Sequence, residues 1–153
     1  MYEEKVISLD DALKAMGAML QEVKKDPNKR WGIAILDNRG ELILFLRQDG
    51  ARQFRSDMAI KKAYTAAIFR RNTHAQGEEL KSQHLDVSMF GSEYTAVPGG
   101  EPVLKPGDEK KGRGDWRECA GAVGTSGAAA AEDERIAQLG AKVLQDLMWP
   151  SKK

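Results

Sequence analysis

The chain is short of the residues that most small sites are built from. Its 153 residues contain one cysteine and two histidines, and aromatic residues make up 7%. Cys119 has no partner for an internal disulfide, so the fold must stand on its core, and the cytoplasm is the expected location. His74 and His84 are ten positions apart. That is not the four-residue spacing that sets two ligands on one helix face, so a preformed zinc site is not expected. Either histidine alone can still serve as the axial ligand of a haem iron; the alternative is two solvated side chains. Charge of one sign is missing too. Lys plus Arg number 24 against 23 Asp plus Glu. A net charge of +1 gives no reason to expect nucleic acid or an acidic membrane surface as partner. No apolar run reaches the roughly 20 residues that cross a bilayer. The charged start, Met1 to Lys5, has no apolar stretch behind it, which argues against a signal peptide.

What remains is a globular composition, 41% apolar and 31% charged, in a length that suits one domain over 1–153. Ser8, with Asp11 three residues on, resembles a capping box. Leu9, Ala12, Leu13, Met16, Met19, Leu20 and Val23 then recur at helical spacing, predicting a helix over about 8–25. Trp31 to Asp37 reads as a strand, and Asp37-Asn38-Arg39-Gly40 as a hairpin turn. Glu41 to Arg47 returns with apolar residues on both faces, as in a sheet covered on both sides. Ser56 is a plausible cap for a helix running to about Arg71, rich in alanine and able to sit close to its neighbour. A shorter, polar helix is expected over 73–84, then a short strand over Tyr94 to Val97, a Pro98-to-Glu101 turn and a return over Pro102 to Leu104. Residues 105–118 form a polar loop, and 130–148 the last helix. Strands joined by short turns make an antiparallel sheet of about five strands, hence an α+β fold.

Cys119 to Gly127 is the stretch most loaded with small residues. Gly121, Gly124 and Gly127 lie three apart, not in a dinucleotide fingerprint, and no Gly-Lys-Ser/Thr end follows. Ser126 lacks the glycine pattern of a nucleophile elbow. A glycine-rich strand end lets backbone approach either a ligand or a packed neighbour. Arg47, Arg52, Arg55, Lys61 and Lys62 form a basic cluster around the start of the second helix, suited to a carboxylate or phosphate unless Asp49 and Asp57 neutralise it. Met58, Tyr64, Phe69, Met89 and Phe90 are core residues or the lining of an apolar pocket.

Several stretches in order resemble one family. They are Ile33 to Leu42, Phe45 to Ala51, Ser56, Ala59 to Phe69, Gly99-Gly100-Glu101-Pro102, Gly121 to Gly127, and Asp133-Glu134 with Ala137 and Gly140. Together they resemble the haem-degrading, GlcG–HbpS-like family, which includes the C-terminal domain of PduO-type adenosyltransferases. The resemblance runs from about Ser8 to Leu147. It implies a profilin-like α+β fold with a central antiparallel sheet and helices on both faces. It also implies homo-oligomers, from dimers to octamers; some members bind haem and some degrade it or sense redox state, while in members set among catabolic genes a small organic ligand is as plausible as a tetrapyrrole. Residues 105–118 depart from it as a longer insertion.

Two functional expectations follow. One is haem binding, with His74 or His84 as axial ligand. The other is a cofactor-free lyase, isomerase or binding protein for a small anionic or aromatic catabolic metabolite. Its pocket would use Arg47, Lys61, Thr65, Gly99, Gly100, Gly124, Ser126 and Gly127. Its general base would be Asp49, Glu101 or a histidine.

Overall fold

The structure is a computed structural model that describes residues 1–112 and 114–152. Among the described residues four α-helices, α1 (Leu9–Val23), α2 (Gln53–Phe69), α3 (Thr73–Ser82) and α4 (Ala130–Met148), surround strands β1 (Gly32–Asp37), β2 (Leu42–Arg47), β3 (Gly100–Leu104) and β4 (Cys119–Ser126). The strands form one antiparallel sheet in the order β2-β1-β4-β3. Helices α1 and α4 pack together on one face; α2 lies across β1, β4 and β3 on the other.

The local sequence explains these elements. The Ser8 hydroxyl accepts the Asp11 amide at 3.1 Å, so half of the expected capping box forms. In the β1–β2 turn, Asp37 Oδ1 accepts the amides of Arg39 and Glu41 at 2.8 and 3.0 Å. Alternation along β1 divides the core. Ile33 and Ile35 join Met16, Met19, Ile136 and Leu144 beneath α1 and α4. Ala34 and Leu36 meet Ala59 and Ala63 of α2.

Two expectations need correction. The sheet has four strands among the described residues, not about five. Tyr94 to Val97 forms no strand because the Thr95 amide donates to Thr65 Oγ1 at 2.9 Å and Tyr94 packs among the rings of Tyr64, Phe69 and Phe90. The first contact takes a backbone amide that a ladder would use, and the ring contacts hold Tyr94 against the end of α2. Helix α2 also begins a turn earlier than Ser56. The chain enters through buried Ala51, and the Arg55 amide donates to the Arg52 carbonyl at 2.9 Å.

Candidate functional site

The small residues of β4 and α2 bring two backbones close together. A Cβ added at Gly124 would lie 2.0 Å from the Ala59 carbonyl oxygen and 2.5 Å from the Ala63 amide nitrogen. The backbone of α2 therefore occupies the space over this glycine. Gly100 faces the Lys62 carbonyl and Thr73 in the same way, and Gly127 abuts the Trp31 ring. Gly99 has φ +122, a conformation that favours glycine, and its carbonyl accepts the Thr125 amide at 2.9 Å.

A buried ion pair lies at this junction. Lys62, 1% exposed, donates to Asp133 Oδ2 at 2.9 Å and to the Thr125 carbonyl at 2.8 Å. Asp133 Oδ1 accepts the amides of Gly127 and Ala128 at 2.9 and 2.8 Å. Burial pulls the Lys62 pKa down, and the neighbouring Asp133 carboxylate opposes that shift. The pair ties α2, the end of β4 and α4 together, and each charge finds its partner inside the protein.

The eight residues expected at one pocket lie in different places. Arg47 lines a cleft of about 490 Å³ with Leu20, Lys24 and Pro27 at the end of α1. Lys61 lines a groove of about 370 Å³ on the outer side of α2, with Ile60, Tyr64, Ser92 and Glu93. Thr65 is buried, donating to the Lys61 carbonyl at 2.8 Å and accepting from Thr95. Gly99, Gly100, Gly124, Ser126 and Gly127 are buried between the sheet and its helices. Asp49 borders the Arg47 cleft.

The histidines also separate. His84 is exposed at the end of α3 with φ +57. His74, in the first turn of α3, borders a cleft of about 470 Å³ whose other walls include Leu85, Val87, Ala96, Pro98 and Lys81. Its Nδ1 lies 3.3 Å from Glu134 Oε2. With Nδ1 donating there, Nε2 carries the lone pair, and among the described residues nothing engages it. Behind this histidine, Asn72 caps α3 by accepting the Ala75 amide at 3.0 Å. The Asn72 amide nitrogen donates both to Glu101 and, at 3.2 Å, to Glu134. Burial raises the Glu101 pKa to about 7, the Glu134 charge adds to the rise, and the Asn72 bond opposes it.

Asn72, Glu134 and Asp133 are the residues that sequence reasoning underused. Asn72 stands one position before the expected start of α3, where an N-cap belongs, and that signal was available. Nothing in the sequence signalled that Glu134 faces His74. Cys119 is buried and donates to the Gly121 carbonyl; burial pushes its thiol up to about 11, so it does not supply a thiolate at neutral pH. Among the described residues no group of three or more His, Cys, Asp or Glu side chains is placed to hold a metal, and no helix is long and apolar enough to cross a membrane.

These features define an α+β fold with clefts at its helix margins and a close-packed centre. The chain belongs to the family described as haem degrading protein HbpS-like, which it matches over residues 7–142. It is 26% identical over 133 residues to an uncharacterised 15.0 kDa protein from the dhaT–dhaS intergenic region of Citrobacter freundii, covering 83% of this chain and 84% of that one. Among solved structures it is similar to a double mutant of HbpS from Streptomyces reticuli, at 26% identity and a TM-score of 0.75, with 94% and 90% of the two chains covered. A PduOC:haem complex shares the fold, with 21% identity, a TM-score of 0.71 and 90% and 94% coverage.

Proposed function

We propose that this protein is a haem-binding member of its family and that the α3 cleft is the haem site, with His74 as axial ligand. The observation that carries this reading is the His74–Glu134 pair. A carboxylate on one ring nitrogen fixes the tautomer and the ring orientation, leaving the other nitrogen to meet iron, the usual arrangement behind a ligating histidine. The cleft has the size and apolar surface for the group: about 470 Å³, with Leu85, Val87, Ala96 and Pro98 for a macrocycle and Lys81, beside the carboxylates of Glu78 and Asp86, for a propionate. A structural relative in complex with haem supports the reading. Bound haem supplies a redox-active iron. The protein's residues hold the ring, orient the ligand imidazole and, through Asn72, connect it to Glu101.

A haem titration tests this. The expected outcome is a Soret shift on binding that His74→Ala removes and His84→Ala retains. An unchanged spectrum in His74→Ala defeats the assignment. Loss of the Soret band under a reductant and oxygen would extend the reading to haem degradation. We further propose that the molecule is a single profilin-like domain, cytoplasmic and homo-oligomeric. A second reading rests on the Lys61 groove, where an amine and a phenol flank apolar Ile60, with the carboxylates of Asp57 and Glu93 on the same lining. These groups suit a small anionic or aromatic metabolite, and Lys61→Ala would weaken its binding without altering the haem spectrum.

A further inference from the structure

The insertion borders a further hollow, one rich in arginine. A cavity of about 250 Å³ lies between the end of α2 and residues 112 and 114–117, bordered by Arg70, Arg71, Arg117, Trp116 and Asp115. Its frame is held from several sides. Arg70 donates to the Arg117 carbonyl, and Arg117 donates to the Arg70 carbonyl at 3.3 Å and to the Lys111 carbonyl at 2.6 Å. The Arg70 guanidinium stands 4.3 Å from the Trp116 ring centroid, and Tyr2 meets the same ring edge-on at 5.9 Å. Trp116 is nevertheless 57% exposed. The indole is therefore held in place beside the hollow while much of its surface faces solvent.

The charges there do not balance. Glu4 pairs with Arg70 at 2.8 Å. Among the described residues Arg117 meets neutral carbonyls rather than a carboxylate, and neither an ion pair nor a hydrogen bond engages the Arg71 side chain. Asp115 borders the hollow as well, its Oδ2 accepting the Gly112 amide at 3.0 Å, and its charge offsets one of the guanidinium charges there. Burial and the nearby Arg71 charge both lower the Arg117 pKa, with Asp108, Glu109 and Asp115 opposing. Like charges crowded in a half-buried hollow repel one another, and a bound anion relieves the repulsion while accepting several guanidinium hydrogen bonds.

We propose that this hollow is a binding site for a ligand bearing a carboxylate or phosphate group, held by Arg71 and Arg117 beside the Trp116 ring. The site stands apart from the α3 cleft and does not depend on haem binding. Inorganic phosphate and citrate are the probes, titrated into the intact protein at low salt by calorimetry and by tryptophan emission. Saturable binding is expected, with an emission change that Trp116→Phe abolishes. Arg71→Ala and Arg71→Lys should weaken binding about tenfold or more, through loss of the planar guanidinium fork. Lys14→Ala, an exposed cation on α1, should leave affinity unchanged. Circular dichroism confirms that each variant folds. Binding of citrate but not phosphate would assign a carboxylate ligand, and the converse a phosphate ligand. Absence of saturable binding by either probe overturns the proposal, as does equal weakening by Lys14→Ala and Arg71→Ala.

Discussion

Single residues here owe their roles to what surrounds them. Lys61 and Lys62 are chemically identical neighbours. One residue of helix rotation, about 100° at 3.6 residues per turn, separates a groove-lining amine from a fully buried one bonded to Asp133. Glu101 is a surface-type residue that burial against Asn72 and Glu134 turns into a group titrating near pH 7. Its folded pKa lies above the ordinary value of 4.5, so the folded state holds a proton that the unfolded state has released between 4.5 and about 7. Its stabilising effect is therefore full below about pH 4.5 and lost as pH rises through 7. At about 1.4 kcal/mol per pH unit the ceiling is about 3 kcal/mol, reduced by the solvent that still reaches this partly buried side chain. Glu101→Gln keeps an acceptor for Asn72 and removes the titration. At pH 8 this variant should be about 1–2 kcal/mol more stable than the parent in urea unfolding, with the gap closing at pH 4. A gap that persists unchanged at pH 4 would refute the role of ionisation.

At the scale of elements, helix α2 and strand β4 show why small residues recur. Ala59, Ala63, Ala66 and Ala67 on the helix, with Gly124 on the strand, let two backbones meet closely. Gly124→Ala places a methyl 2.0 Å from a carbonyl oxygen, and backbone cannot yield as a side-chain tip can. A loss of about 1–3 kcal/mol or more is expected in thermal or urea unfolding. An unchanged midpoint would mean that α2 is free to shift outward. The glycine-rich stretch was legible in the sequence as a place of close approach. Which group approaches was not, because helix backbone and ligand ask the same of a residue with no Cβ. The absent strand over 94–97 has a similar cause. Its sequence suits a strand, but Thr65, about 30 positions away, takes the Thr95 amide.

Across the whole molecule, the face of α2 turned from the sheet carries exposed Phe54, Ile60 and Ile68, with Met89 and Phe90 also exposed in the segment that follows α3. Exposed apolar surface of this kind favours association between copies. Phe54→Asp with Ile60→Asp should shift the mass measured by light scattering toward the monomer, with folding unchanged by circular dichroism. A mass identical to the parent would exclude this face as the contact.

The sequence by itself determined the helices, the β1–β2 hairpin, the α+β class and the family resemblance, because periodicity, caps and turns act over a few residues. The tertiary structure decided how the functional side chains combine. The sequence offered Arg47, Lys61 and six buried residues, Thr65 among them, as one pocket; the fold spreads them over both sides of the sheet and its interior. It instead joins His74 to Glu134, 60 positions away, and Arg70 and Arg71 to Arg117 across 47 and 46 positions. Such pairings come from how helices seat on a sheet, and no local pattern encodes them.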